Sequence, residues 1–219
     1  MVEVSASLLN LEEEESIKTL YNLETAGINY FHIDVMDGEF VENNTIEKMR
    51  KYSNYVKQIS TLPLDVHLMV NDVKRYIDEY IGVSPRIITF HLEAVKDKNE
   101  IMNVINDIKE CNCKVGISIK PDTKLEEIYK FLPYIHLVLI MTVEPGKGGQ
   151  KLQESTINKI KELKKYITEN NIDIDIEADG GINTNNADIL KNAGVDIIVA
   201  GTAILKSEDY KNTVEILKK

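Results

Sequence analysis

One feature constrains the fold more than any other: short apolar, β-branched runs alternate along the chain with longer segments whose apolar residues recur at helical spacing. The runs are Val2–Ser7, Tyr30–Met36, Leu64–Met69, Arg86–His91, Lys114–Ile119, Ile135–Thr142, Ile172–Ala178 and Asp196–Ala200. Between them, sets such as Ile101, Val104, Ile105 and Ile108, or Ile157, Ile160, Leu163 and Ile167, mark one apolar face of a helix. Strict alternation of strand and helix predicts a parallel sheet with helices outside it. Eight such units favour an α/β fold closed into a (β/α)8 barrel over an open, doubly wound sheet, which stays the alternative at this point. A chain of 219 residues, 43% of them hydrophobic, can bury one large core, and no Gly-Ser linker interrupts it. A single domain over residues 1–219 is therefore expected.

The formal net charge of -10 comes from Asp and Glu scattered along the chain. Such a surface repels phosphate polymers and anionic lipid headgroups, which argues against nucleic-acid and membrane partners. A small anion remains an acceptable ligand, because local backbone N–H groups outweigh a distant negative field. No stretch approaches the roughly 20 apolar residues of a membrane helix, and Met1 to Glu15 lack a basic start followed by an apolar run. A soluble, cytoplasmic protein is expected. Cys111 and Cys113, the only two cysteines and separated by a single residue, are too few for a disulfide scaffold and read as structural.

Polar residues gather at the ends of the predicted strands. His32, Asp34 and Met36 share one face of the second strand, His67 and Met69 one face of the third, and Asp179 stands at the end of the seventh. In a closed barrel these ends converge on one mouth, where two imidazoles and two carboxylates can hold a divalent ion. Each residue alone would more often just satisfy nearby backbone groups; their matching positions carry the metal reading. The longest irregular piece, Asp37 to Glu47, follows the second strand on the same catalytic face. Two glycine-rich segments, Glu144 to Gln150 and Ala200 to Ala203, follow the sixth and eighth strands, where loops of a barrel commonly cradle phosphate.

Over nearly its whole length the chain resembles the ribulose-phosphate 3-epimerase family. The resemblance lies in Ser7-Leu8-Leu9, His32-Ile33-Asp34-Val35-Met36-Asp37-Gly38, Leu64-Asp65-Val66-His67-Leu68-Met69-Val70 and Thr89-Phe90-His91-Leu92-Glu93-Ala94. It continues through Met141-Thr142-Val143-Glu144-Pro145-Gly146, Gly148-Gly149-Gln150, Ala178-Asp179-Gly180-Gly181 and Val199-Ala200-Gly201-Thr202-Ala203. It implies a TIM barrel of the ribulose-phosphate-binding type and an isomerase that interconverts D-ribulose 5-phosphate and D-xylulose 5-phosphate, a reaction of the pentose phosphate pathway. It also implies one divalent metal ion, Zn, Fe(II), Mn or Co, held by His32, Asp34, His67 and Asp179. Asp34 and Asp179 would be the acid/base pair. Ser7 and His67 would contact substrate, Met36, Met69 and Met141 would line the reacting centre, and Gly146, Gly148, Gly149, Gly180, Gly181, Gly201 and Thr202 would surround the phosphate. As bare sequence, the methionines read equally well as core.

The implied chemistry suits these residue types. Inverting a carbon next to a carbonyl requires a proton to leave one face and another to arrive on the opposite face, so two acid/base groups are needed. Four protein ligands plus substrate oxygens exceed the coordination of a closed structural zinc. His91 and Glu93 are expected to support the mouth, and His136, at the start of a strand, to be structural. The family's usual pattern is broken in the Glu39 to Glu47 loop, which has become more acidic, and at Lys147, which stands where an aromatic residue is usual. These departures bear on the sugar. The rival readings are a sister 3-epimerase for a hexulose phosphate such as D-allulose 6-phosphate, a phosphate-binding barrel lyase or decarboxylase, and a non-catalytic sugar-phosphate-binding protein. A homo-oligomer stays open.

Overall fold

The computed structural model describes residues 1–219. Eight parallel strands close in sequence order into a barrel: β1 (Glu3–Ser7), β2 (Tyr30–Met36), β3 (Leu64–Met69), β4 (Ile87–His91), β5 (Lys114–Ile119), β6 (Leu137–Met141), β7 (Asp175–Asp179) and β8 (Ile197–Ala200). The closing pair is β1 with β8, with Glu3 opposite Ile197 and Ala6 opposite Ala200. Around it lie α1 (Ser16–Ala26), α2 (Ile46–Ile59), α3 (Val73–Tyr80), α4 (Lys98–Glu110), α5 (Ser155–Glu169), α6 (Ala187–Ala193), α7 (Thr202–Leu205) and α8 (Tyr210–Lys218). The open-sheet alternative is thereby removed. No helix is long and apolar enough to cross a membrane.

Two expectations need correction. The unit after β5 has no α-helix; two 3-10 turns, Leu125–Glu127 and Tyr129–Tyr134, take its place. Pro133 lies inside the second and has no N–H to donate to a helical ladder. The seventh strand, expected over Ile172–Ala178, runs over Asp175–Asp179 instead. Asn171 takes a left-handed φ of 53°, and the Ile172 N–H bonds back to Ile167 O, so Ile172 belongs to the exit from α5. The shift makes Asp179 the last residue of its strand.

Strand periodicity sorts the core into two. Outward-facing residues such as Ile33, Val35, Val66, Leu68, Ile88 and Phe90 join the apolar faces of the helices in one cluster of 57 buried residues. A separate set of seven, Tyr30, Ile87, Leu137, Leu139, Met141, Val143 and Ile197, fills part of the barrel interior. Much of the rest of that interior is polar: Ser5, His32, Asp34, Asp65, His67, Thr89, His91, Ser118 and Glu177 are all buried. Burying so many polar groups lowers stability unless each is partnered. Such a concentration belongs to a site.

Candidate active site

The register of the sheet assembles the polar interior pairwise: His32 lies opposite Asp65, Asp34 opposite His67, and Met36 opposite Met69. Asp179 comes in from β7, which is separated from β2 by β8 and β1. His32 Nε2 lies 3.3 Å from Asp34 Oδ1 and 3.9 Å from Asp179 Oδ2. His67 Nδ1 lies 3.5 Å and 3.6 Å from the same two oxygens. The ligating atoms of the four residues fall within 4.8 Å of one another. Both imidazole nitrogens are buried and lack a hydrogen-bond partner. Leaving such atoms unsatisfied costs about 1–3 kcal/mol each, and a cation accepting both lone pairs removes that cost. Two nitrogens and two carboxylate oxygens fit one divalent metal ion.

The other ring nitrogens are tied down. His32 Nδ1 meets Asp65 Oδ2 at 2.6 Å, and Asp65 also accepts from Ser5 Oγ at 2.9 Å. His67 Nε2 meets His91 Nε2 at 2.9 Å, and His91 Nδ1 meets Glu93 Oε2 at 3.2 Å. Glu93 in turn accepts from Lys120 N at 2.8 Å and from the Thr123 hydroxyl. With His91 neutral and the carboxylate ionised, only one proton arrangement makes every link a donor–acceptor pair: His91 donates to Glu93, and His67 donates to His91. When His32 and His67 are neutral, each proposed ligand turns its lone pair toward the carboxylates.

Electrostatics agrees with the His91–Glu93 part of this assignment, while the carboxylates around His32 and His67 favour protonation of both imidazoles until a cation displaces the protons. Burial pushes the His91 imidazole down to about 4, so it stays neutral. Burial alone would raise Glu93, but the hydrogen bond from His91 prevails and lowers it to about 2. For His32 burial opposes the charged form, yet Asp65 and Asp34 outweigh it and raise its pKa. Burial likewise opposes ionisation of Asp34, and His32 and His67 overcome it, so its carboxyl is held well below the usual range. Glu177 behaves differently: burial and the neighbouring Asp65 charge raise it well above an ordinary carboxyl, and neither of its oxygens has a partner.

Asp65, bonded to His32, and Glu177, 4.0 Å from the same imidazole, form a buried polar layer beneath the four residues that the strand-end reading missed. They stand two residues before His67 and Asp179, on the same inward faces, and that spacing was the available signal. Asp65→Asn is expected to lower divalent-cation affinity about 10–100-fold. Competition of the purified variant with a fluorescent chelator measures this without reference to turnover.

Above the four residues opens a cavity of about 250 Å³. Ser7, Asp34, Asp179, Met36, Met69 and Met141 line one part of it, and Gly146, Gly148, Gly149, Gly180, Gly181, Gly201 and Thr202 another. Ser7 Oγ donates to Asp34 Oδ2 at 2.7 Å. His32 and His67 do not reach the cavity. Both are fully buried, so of the two roles expected for His67, ligation is the one its position supports. The N–H groups of Gly148, Gly149, Gly180, Gly181 and Gly201 make no hydrogen bond within the protein, and unpaired backbone donors around a cavity form an anion cradle.

Gly181 shows why the cradle needs glycine. Its φ is +66°, and a Cβ there would lie 2.5 Å from Leu152 N and 2.7 Å from Gln150 O. Gly181→Ala is expected to destabilise the fold by about 1–3 kcal/mol, read as a fall in chemical-denaturation midpoint.

The remaining residues singled out in the sequence fall elsewhere. His136 accepts from Val115 N at 3.1 Å just before β6, at the opposite end of the barrel. The buried Cys113 thiol donates to Pro85 O at 3.2 Å, and burial pushes it up to about 11. A thiol so protonated is a poor nucleophile and a poor ligand.

Comparison with known proteins matches the sequence to a family. The sequence profile described as "Ribulose-phosphate 3 epimerase family" matches residues 3–205. The ribulose-phosphate 3-epimerase of Methanocaldococcus jannaschii is 38% identical over 218 residues, covering 100% of this chain and 90% of that protein. The Bacillus subtilis protein of the same name is 36% identical over 219 residues, covering 100% and 99%. That of Escherichia coli K12 is 36% identical over 207 residues, covering 94% and 88%. Among solved structures, a 3-hexulose-6-phosphate synthase superposes with a TM-score of 0.71 at 13% identity, covering 99% of this chain and 97% of its own. KGPDC from Streptococcus mutans gives 0.73 at 11% identity, covering 100% and 96%. Identities this low establish the barrel alone. Sequence identity across the whole barrel, together with the His and Asp cluster at its mouth, leads to one assignment: the chain belongs to the ribulose-phosphate 3-epimerase family.

Proposed function

We propose that the protein, a single domain over residues 1–219, is a ribulose-phosphate 3-epimerase that interconverts D-ribulose 5-phosphate and D-xylulose 5-phosphate. The observation that carries this reading is the pair Asp34 and Asp179, brought from two separated strands to flank the same two imidazole nitrogens under one cavity. The relatives at 36–38% identity bear the corresponding name. No observation favours the hexulose-phosphate rival.

His32, Asp34, His67 and Asp179 would hold the divalent cation, with Zn, Fe(II), Mn or Co as suitable ions for a mixed nitrogen and oxygen set. When bound, that ion supplies positive charge against the negative charge developing on the substrate's carbonyl oxygen. The chain's own residues do the rest. One carboxylate removes the proton from carbon 3 and becomes a carboxylic acid, while the electron pair moves into an enediolate. The other, protonated, carboxyl delivers a proton to the opposite face of that planar carbon and is left ionised. Asp34 and Asp179 serve as the two groups, exchanging roles with the direction of reaction. Ser7, bonded to Asp34 Oδ2, orients that carboxyl. Met36, Met69 and Met141, which line the cavity, would cover the reacting carbon with surface that carries no exchangeable proton, and the glycine N–H groups would bind the phosphate.

A coupled assay tests the assignment. Cation-loaded protein should turn over D-ribulose 5-phosphate at least about tenfold more efficiently than D-allulose 6-phosphate, a preference equivalent to about 1.4 kcal/mol. The reverse preference would move the protein to the hexulose phosphates.

A further inference from the structure

A phosphate dianion approaching this cavity meets an unfavourable field: the chain carries a net charge of -10, and Asp34, Glu144 and Asp179 are all in the cavity wall. One cationic side chain lines that wall, Lys147, set between the glycines of the β6–α5 loop. Lys120, the next cation at the mouth, lies 4.4 Å over the Phe40 ring and lines a neighbouring recess instead. Lys147 Nζ pairs at 3.3 Å with Glu42 Oε2 on the β2–α2 loop, and the two loops touch again where Asn43 Nδ2 donates to Gly146 O at 3.1 Å.

The Glu42 contact is weak by construction. The side chains are 68% and 88% exposed, and pairs so open to water contribute little. A phosphate held by the adjacent unpaired N–H groups of Gly148 and Gly149 offers the ammonium two negative charges in place of one, in a less solvated setting.

We propose that Lys147 is a phosphate-binding residue this chain adds to the glycine cradle, and that Glu42 competes with the substrate's phosphate for it. The inference rests on reading the cavity as a ketose-phosphate site. It also gives the two departures in these loops, an acidic residue at 42 and a lysine at 147, a common purpose. The exchange of partners releases the β2–α2 loop from one of its ties as the substrate enters.

Steady-state kinetics on D-ribulose 5-phosphate and direct binding of inorganic phosphate, both on the cation-loaded full chain, test it together. Lys147→Met should raise KM about tenfold with a much smaller change in kcat, and weaken phosphate binding by a similar factor. Lys147→Arg should restore most of both. Glu42→Gln should lower KM and tighten phosphate binding by about two- to fivefold. Lys147→Met within twofold of wild type in KM and in phosphate affinity would overturn the proposal, as would a loss confined to kcat. Failure of the wild type to turn over ribulose 5-phosphate would refute the epimerase reading instead, and phosphate affinity would still decide the role of Lys147.

Discussion

Asp34→Asn and Asp179→Asn should each lose about three to four orders of magnitude in kcat, in both directions of the reaction, because a positioned acid or base contributes about 10²–10⁴-fold and an amide supplies neither function. The change also weakens a cation ligand, which adds to the loss. The cradle of glycine N–H groups is untouched, so binding of ribulose 5-phosphate should survive in part, within about tenfold of wild type. Equilibrium binding and rate measurements on the same preparations separate the two effects. Circular dichroism checks folding, since Asp34 is buried among two imidazoles and Ser7. Retention of even a tenth of wild-type turnover by either variant would remove that residue from proton transfer.

Removal of the cation is the second large effect. Protein treated with a strong chelator and then freed of it should have less than about a thousandth of the loaded activity, since stabilising the developing oxyanion contributes several kcal/mol. Addition of Zn, Mn, Fe(II) or Co should restore it. Acidity should oppose reloading, and the sign follows from the shifts at the site. His32 has its pKa raised, burial being outweighed by Asp65 and Asp34, so it holds a proton that the cation must displace. Asp34, held low, stays ionised and offers no such competition. Cation affinity should therefore rise with pH through the neutral range, by up to about tenfold per pH unit for each proton displaced. Isothermal titration at several pH values, in buffers of different ionisation enthalpy, counts the protons released. Affinity that is flat in pH would contradict a ligand role for His32.

Much of this site could be read before any coordinates. The period of two places His32, Asp34 and Met36 on one face and His67 and Met69 on another whatever the surroundings, and closure of eight units brings those faces together. Two things were less legible. A helix was expected after β5, because alternation elsewhere was so regular; the run between Ile119 and Leu137 instead carries Pro121 and Pro133, which favour turns. The supporting layer was hidden for a different reason. The period of two puts Asp65 and Glu177 on the same inward faces as His67 and Asp179, but it does not tell a carboxyl that orients an imidazole, as Asp65 does, from one without a partner, as Glu177 is. Register decides between them, and register between strands 33 residues apart in sequence is a tertiary property. The same holds for the His67–His91–Glu93 chain, whose partners lie on neighbouring strands or just beyond them.

The most direct test of two-carboxylate epimerisation is the fate of hydrogen at carbon 3 when cation-loaded protein acts on D-ribulose 5-phosphate in deuterated water, followed by nuclear magnetic resonance. Two groups on opposite faces, one removing and the other donating, should yield D-xylulose 5-phosphate carrying one solvent deuteron at carbon 3 and none at its other carbons. Product that keeps its original hydrogen at carbon 3, or no product from folded, loaded protein, would contradict the roles given to Asp34 and Asp179.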